Sequence, residues 1–234
     1  MADRRNAARR QKTARVEPAT TAAVAATTRP ARHRLDPADR RLIIAREAAA
    51  FFAEQGFEGQ TRELAARLCI TQPLLYRYFP SKDALIDRVY QDVFIDRWNP
   101  EWEKLVSDRR RPLQDRLIAF YKEYAKVIIT YEWVRLFMFA GLRNLDLNAR
   151  YLDFLQERLF DHVVGALRRE FGRPTIKKVP VTRMEIEMIW GLHARIFYLG
   201  VRRFIYNMPL DGDVDGIIEA SVMNFMGGIG GNLP

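Results

Sequence analysis

Tyr76, Arg77 and Tyr78 lie side by side in the segment LLYRYFPSKDAL, and Lys82 follows them after a proline. An arginine side chain pairs with phosphate groups or with guanine, whereas a tyrosine hydroxyl or a lysine ammonium group donates to phosphate oxygens. The spacing places these groups on one turn of a short helix and at the start of the next. The segment therefore predicts contacts to double-stranded DNA, although a core position for the Tyr76 ring fits the same pattern.

Two short helices and a turn are predicted to position these side chains. We expect one helix over residues 61–68, a turn over residues 69–71, and a second helix over residues 72–79. The second helix must end there because Pro80 disfavours helical geometry in the residue before it. Such a pair is a helix-turn-helix, whose second helix can enter the DNA major groove.

The apolar residues of this pair indicate which face is buried. Leu75 and Phe79 are four residues apart and are predicted to face the core with Leu64 and Leu68. In the first turn of the helix, the Thr71 side chain can accept a hydrogen bond from the backbone. The outer surface is then left to Gln72, Pro73, Leu74, Tyr76, Arg77 and Tyr78.

Flanking helices complete this N-terminal unit. Asp36 is predicted to cap the first helix, which ends at Gly56 with Phe57 folded back onto Phe52. Ser81 is predicted to cap a fourth helix, because its hydroxyl can accept from an N–H group of the first turn.

The stretch from about residue 38 to residue 97 resembles the DNA-binding domain of the TetR family of transcriptional repressors. The resemblance rests on an aromatic-rich first helix ending in Gly-Phe, on R-E-L-A in the second helix, and on LYRYFPSKDAL, which matches the family signature LYxxFxxKxxL. The family implies an all-α fold, with an N-terminal three-helix DNA-binding domain followed by a larger helical ligand-binding and dimerisation bundle. We therefore expect a DNA-binding domain at 35–97 and an effector-binding and dimerisation domain at 98–234.

The resemblance also implies a role for each motif position. Residues 72–74 would face the bases, the tyrosines and Lys82 would grip phosphates, and Arg77 could do either. Thr71 would cap the recognition helix. The DNA-binding candidates are Thr61, Arg62, Thr71, Gln72, Pro73, Leu74, Tyr76, Arg77, Tyr78 and Lys82.

Three positions depart from the family pattern. Cys69 stands in the turn where many members have glycine, so we expect it to adopt a left-handed backbone conformation. Gly59-Gln60-Thr61 replaces the threonine pair that usually opens the second helix, which leaves the capping residue open. Leu74 is bulkier than the small residue common at its position, and it could meet a thymine methyl group or narrow the range of operators.

Longer helices are predicted in the rest of the chain, and no alternating pattern predicts a strand. Their expected ranges are about 112–131, 133–144, 148–171, 182–207 and 214–227. A glycine-rich tail is expected to follow the last helix. As the family implies, the last two helices would pack against a second copy in a homodimer, which would set two recognition helices roughly 34–36 Å apart on a near-palindromic operator.

Aromatic residues are dense in this bundle and could line a cavity for a small-molecule inducer, although an ordinary core would look the same. The ligand-binding candidates are Tyr124, Trp133, Phe137, Trp190, His193 and Phe197. His193 and Arg195 could bind an acidic ligand, or they could satisfy each other at the dimer seam, which we favour. Gly191 and Gly200 would allow a second subunit to approach closely.

Charge and composition bound the remaining possibilities. The segment 1–34 carries nine basic and two acidic side chains, so most of the net charge of +9 lies there. We expect a disordered basic arm, either solvated or in contact with DNA phosphates; a transit peptide is the third alternative. The single cysteine, Cys69, fits a reducing cytoplasm, and a buried, inert turn residue is favoured over a redox sensor.

No enzyme signature or tight set of metal ligands stands in the sequence, although Glu157, Asp161 and His162 share a helix. We predict a DNA-binding regulator without cofactor, metal or membrane partner, released from its operator by an inducer. A regulator that acts without an inducer, controlled by a protein partner or by its own abundance, is the alternative. An enzyme built on the bundle has no catalytic residues to support it.

Overall fold

The computed structural model describes residues 36–143, 145–210 and 212–233. The basic arm predicted over residues 1–34 lies outside these described residues. Within them the chain folds into helices without any strand, which confirms the predicted all-α class. None of the helices in the described ranges combines the length and the apolar character needed to cross a membrane.

The N-terminal unit, here called the head, consists of four helices. They are α1 (Pro37–Gln55), α2 (Thr61–Arg67), α3 (Gln72–Tyr78) and α4 (Lys82–Tyr90), and a π-helical segment, Gln91–Ile95, continues α4. The bounds of α1, α2 and α3 agree with the predicted helices to within a residue. The fourth helix was predicted to run to about residue 97, but α4 ends at Tyr90 and its π-helical continuation ends at Ile95.

The capping residues of the head are those that the sequence predicts. The Asp36 carboxylate accepts a hydrogen bond of 2.8 Å from the Ala38 N–H, and the Ser81 hydroxyl accepts one of 3.0 Å from the Ala84 N–H. Helix α1 ends at Gly56, whose φ of +73° suits glycine. Ring centroids of Phe52 and Phe57 lie 5.5 Å apart, so the chain folds back as expected.

Seven further helices form the rest of the described chain. They are α5 (Glu101–Ser107), α6 (Leu113–Ile128), α7 (Tyr131–Leu142), α8 (Leu147–Leu155), α9 (Asp161–Glu170), α10 (Arg183–Phe204) and α11 (Val214–Ile229). Helix α5 was missed in the sequence, although its buried residues Trp102 and Val106 have the i, i+4 spacing of one helical face. The helix predicted over residues 148–171 is interrupted by the π-helical segment Gln156–Phe160.

The predicted flexible glycine tail is wrong. Helix α11 extends through Gly227 and Gly228 to Ile229, and a 3₁₀ turn over Gly230–Asn232 follows. Burial of Ile229 and Leu233 anchors this end, which offsets the low helix propensity of glycine. The Arg173 guanidinium also donates a hydrogen bond of 2.8 Å to the Gly230 carbonyl.

Helices α1 and α7 join the head to the bundle. From α7, the Arg135 guanidinium donates to the Ala53 carbonyl at 2.5 Å, and the Phe139 ring packs against Gly56. A Cβ on Gly56 would come within 3.3 Å of that ring, so glycine at this position permits both the positive φ and the close packing. The division of the chain at residue 97 stays a prediction.

A buried ion pair fixes the start of α10. The Arg168 guanidinium donates two hydrogen bonds of 2.6 Å to the Glu185 carboxylate, and both side chains are almost wholly buried. The same guanidinium donates to the carbonyls of Val179 and Pro180 in the preceding loop, at 2.5 and 3.0 Å. Burial would raise the pKa of Glu185, but the hydrogen bonds from Arg168 and Thr182 outweigh it and lower that pKa.

We predict that Arg168→Ala lowers the free energy of unfolding by roughly 3–5 kcal/mol, because it leaves a buried carboxylate without its partner. Urea denaturation of the full chain measures the loss. Glu187→Ala, on the exposed side of the same helix, is the control and should leave the midpoint nearly unchanged. Equal losses in both variants would contradict the role given to the pair.

Candidate nucleic-acid interface and aromatic core

Helix α3 is held by its inner face and presents its outer face to solvent. Leu75 and Phe79 are buried with Leu64 of α2, and Leu68 packs partly buried against the same core. This arrangement confirms the predicted inward face. Because α3 has only seven residues, it depends on these contacts for its helical form and its direction.

A small hydrogen-bond network ties the outer face of α3 to the start of α2. The Gln72 side-chain amide donates to the Thr61 hydroxyl at 2.9 Å, and the Tyr76 hydroxyl lies 2.9 Å from that same oxygen. Thr61 is 7% exposed, whereas Tyr76 is 36% exposed. Gln72 and Tyr76 stand four residues apart, so one hydroxyl fixes two successive turns of α3.

The hydrogen bond between Thr61 and Tyr76 can run in either direction, and one of the two directions leaves a donor free at the surface. Since the Thr61 oxygen already accepts from Gln72, its own proton is available for the Tyr76 oxygen. The Tyr76 hydroxyl can then donate its proton outward while its ring stays packed. Thr61 therefore connects α2 with α3 through hydrogen bonds. The sequence did not reveal this role, because Thr61 and Tyr76 are fifteen residues apart.

The remaining candidates lie around this network. The Thr71 hydroxyl accepts a hydrogen bond of 3.3 Å from the Leu74 N–H, as predicted. Thr71, Arg62, Pro73 and Arg77 are exposed. The half-buried candidates are Gln72, Leu74, Tyr78 and Lys82.

Ion pairing decides which basic groups are available near α3. Arg67 is bound by α1, because its guanidinium lies 2.6 Å from the Glu54 carboxylate and also pairs with Glu47. By contrast, Arg62, Arg77 and Lys82 make no ion pair with any described residue. Lys82 instead lies over the Phe52 ring, with its nitrogen 6.0 Å from the ring centroid.

Cys69 adopts a left-handed conformation with φ of +53°, which confirms the expectation for the turn. Its side chain is exposed, so the favoured interpretation of a buried residue is wrong.

The six ligand-binding candidates fall into two contacting groups. Trp133, Phe137 and Phe197 pack together with ring centroids 5.0–5.6 Å apart. Tyr124 and Trp190 each contact the imidazole of His193, at 5.7 and 5.5 Å.

Tyr151, which was not among the candidates, links the two groups. Its hydroxyl lies 2.7 Å from that of Tyr124, and its ring packs 5.2 Å from Trp133. Burial raises the pKa of Tyr124 well above its usual range, so its hydroxyl keeps its proton. No sequence signal marked Tyr151, because it reads as one more core aromatic.

Two polar atoms in these groups have no hydrogen-bond partner among the described residues. They are Nε1 of Trp133 and Nδ1 of His193, and His193 is only 6% exposed. Burial lowers the pKa of His193 to about 4, so the imidazole is neutral near neutral pH.

The predicted pairing of His193 with Arg195 is wrong, because His193 is buried in the aromatic core and Arg195 is exposed. Gly200 does not face solvent either. A Cβ there would come within 2.7 Å of Val134 in α7, so its close approach is made within the chain. Gly191 is exposed, with open space around it.

The short helices α2 and α3, with a turn between them and a shared buried face, form a helix-turn-helix unit. Tyr76 and Arg77 are exposed on its outer side. Residues 44–89 match the family model described as bacterial regulatory proteins, tetR family. A search of curated proteins finds no match to the chain.

Solved structures resemble the whole chain. A putative TetR-family transcriptional regulator from Mesorhizobium loti is 15% identical, with a TM-score of 0.52 over 83% of this chain and 98% of that one. A TetR family transcriptional regulator from Pseudomonas syringae pv. tomato is 19% identical, with a TM-score of 0.55 over 81% and 96%. A TetR transcriptional regulator from Agrobacterium tumefaciens is 18% identical, with a TM-score of 0.54 over 81% and 93%.

The solved structures share the fold, and the family model matches the segment that carries the recognition helix. Residues 44–89 therefore match the DNA-binding domain of the TetR family, and the chain as a whole is similar in fold to TetR-family regulators.

We predict that Cys69→Gly raises the free energy of unfolding by about 0.5–1 kcal/mol, because glycine adopts a positive φ without the steric cost of a Cβ. Cys69→Ala keeps the Cβ and serves as the control, with no gain expected. Both are measured by urea denaturation under reducing conditions. A gain in the alanine variant as large as that in the glycine variant would show that the thiol, and not the backbone, is the source of strain.

Proposed function

We propose that the protein is a repressor that binds a near-palindromic operator as a homodimer and is released by a small-molecule inducer. The single observation that carries the DNA-binding part is the outer face of α3, where Tyr76, Arg77 and Pro73 are exposed beside a buried inner face. Residues 72–74 would meet base edges, whereas Tyr76, Tyr78 and Lys82 would hold the phosphates on either side.

The hydrogen-bond network supports this division of roles. Gln72 and Tyr76 are held by Thr61 before DNA is bound, so little side-chain entropy is lost when the Tyr76 hydroxyl meets a phosphate. The role proposed for Thr61 is accordingly to position its two partners. Arg77 has no ion pair within the described residues and is free to reach either a phosphate or a guanine.

Exposed faces of α10 and α11 support the homodimer. On α10, the exposed residues Met184, Gly191, Ala194 and Tyr198 recur at helical spacing. The corresponding residues on α11 are Ala220, Met223 and Gly227. Two adjacent helices that each expose small and apolar residues are suited to packing against the same helices of a second copy.

Helix α7 supports a link between inducer and DNA. One face of α7 places Trp133 and Phe137 in the aromatic core, and another places Arg135 and Phe139 against the end of α1. A second connection runs through Arg150, which lies 3.2 Å from Asp87 of α4. A ligand that shifts α7 would therefore move the head and change the spacing of the two recognition helices.

The proposal includes no catalytic activity and places the protein in the cytoplasm, where a regulator meets chromosomal DNA. The match of residues 44–89 to the family model of bacterial regulatory proteins supports both statements, because such regulators act by binding DNA.

We predict that Arg77→Gln weakens DNA binding and reduces the slope of log affinity against log salt concentration by about 0.9, if Arg77 contacts one phosphate. Arg183→Gln removes the same charge from an exposed site on α10 and is the matched control. Gel shifts of genomic fragments at several salt concentrations measure both. Failure of the unmodified protein to retard any fragment at low salt would refute DNA binding, whereas equal effects of the two variants would refute only the role of Arg77.

A separate prediction concerns the homodimer. Ala194→Arg should convert the dimer to a monomer, because it buries an unpaired charge between the α10 helices. Ala149→Arg introduces the same side chain at an exposed position of α8 and should leave the dimer intact. Sedimentation equilibrium measures the mass of each variant; a monomeric parent protein, or dimers in both variants, would overturn this interface.

A further inference from the structure

A surface depression of about 410 Å³ lies where the π-helical segment meets α10. Its wall includes Gln156, Asp161, Ile186, Glu187 and Trp190. Between α8 and α9 the chain leaves regular α-helical geometry over the π-helical segment Gln156–Phe160. Single-turn π-helical segments occur frequently at functional sites.

Trp190 connects this depression with the buried imidazole of His193. The half-buried indole ring lines the depression and also contacts His193, with ring centroids 5.5 Å apart. Phe160, the last residue of the π-helical segment, packs against both, at 4.4 Å from Trp190 and 6.3 Å from His193. The Trp190 ring therefore connects the depression with the imidazole that carries a buried polar atom.

That polar atom is Nδ1 of His193, which lacks a hydrogen-bond partner among the described residues. A buried nitrogen without a partner destabilises the folded chain, because hydration of the nitrogen is lost without replacement. A molecule that supplies the missing partner recovers this loss on binding. The unpartnered atom is thus an observation independent of the depression, and both indicate the same place.

We propose that this junction binds an uncharged, flat aromatic molecule carrying one O–H or N–H group. The indole of Trp190 turns into the depression, and the aromatic ring of the ligand then stacks against Trp190 and Phe160. The O–H or N–H group of the ligand donates a hydrogen bond to Nδ1 of His193. The inference rests on the proposed function in one respect, which is that the bound molecule acts as the inducer.

The surroundings of His193 define this ligand class. The rings that contact it belong to Tyr124 of α6, Phe160 of the π-helical segment and Trp190 of α10, and none of them carries a charge near neutral pH. A carboxylate would find no cation among the rings that contact the imidazole, so its hydration would be lost there without replacement. At the mouth, Arg183 is paired with Glu187, and Asp161 adds a further negative charge. The ligand must therefore be neutral at its buried end. In the tautomer with the proton on Nε2, which the proposal adopts, the ligand must also donate to Nδ1.

Phenol, toluene and benzoate have rings of equal size and test the three proposed properties of the ligand. Phenol has the ring and a donor group, toluene has the ring without a donor, and benzoate carries a negative charge. Calorimetric titration of the full chain should show phenol binding about tenfold more tightly than toluene, which has no donor, and no binding of benzoate. In His193→Phe the preference for phenol over toluene should vanish, while circular dichroism and the urea midpoint check that the variant is folded. Absence of phenol binding at millimolar concentration, or a preference that persists in the variant, overturns the proposal.

A spectroscopic measurement on the unaltered protein does not depend on the variant. With ¹⁵N-labelled histidine, phenol should shift the Nδ1 resonance of His193, whereas toluene should not. His162 is exposed on α9 and provides the internal control, whose resonances should stay in place. The absence of a shift at His193, whether or not His162 shifts, contradicts a donor bond to His193.

Gel shifts separate this proposal from the proposed function. If the protein retards DNA but phenol does not bind, the ligand site is wrong and the DNA-binding function stands. If phenol binds with the expected preference but does not release DNA, the site is right and its role as the inducer site is wrong. If no fragment is retarded at any salt concentration, the DNA-binding function itself fails, and the titrations still decide the site.

Discussion

Helix α3 is too short to persist without its neighbours, and the contacts that hold it decide what it can do. Leu75 and Phe79 are buried on its inner side, so the helix cannot rotate about its axis without exposing them. On the outer side, Thr61 bonds both Gln72 and Tyr76 and fixes their direction. The surface offered to DNA is therefore largely formed before DNA arrives, which favours affinity because less side-chain freedom is lost on binding.

The bundle depends on a different kind of interaction. Aromatic rings from α6, α7, α8 and α10 fill its interior, together with buried hydroxyl, indole and imidazole groups. Packing alone would be served better by aliphatic side chains, since a buried polar group without a partner costs free energy. The unpartnered nitrogens of Trp133 and His193 thus distinguish this core from an ordinary one.

Polar contacts between elements connect the two parts. Arg135 bonds the carbonyl of Ala53 at the end of α1, and Arg150 of α8 pairs with Asp87 of α4 and lies over the ring of Tyr90. At the other end of the bundle, Arg168 and Glu185 hold the loop before α10. Helices α7 and α10 carry most of the candidate ligand-binding residues. Because α7 also contacts α1, a change in the packing of these helices can be transmitted to the head.

The sequence by itself determined the helices of the head, their caps and the two faces of α3, because each depends on residues that are close along the chain. The left-handed turn at Cys69 was predicted only through the resemblance to the TetR family, in which many members have glycine at this position. Only the tertiary structure decided that Thr61 joins Gln72 and Tyr76, that Arg67 is bound to α1, that Cys69 is exposed and that His193 and Arg195 lie on different faces. Those facts depend on contacts between distant segments, and the periodicity of a single helix does not specify which element will lie against it.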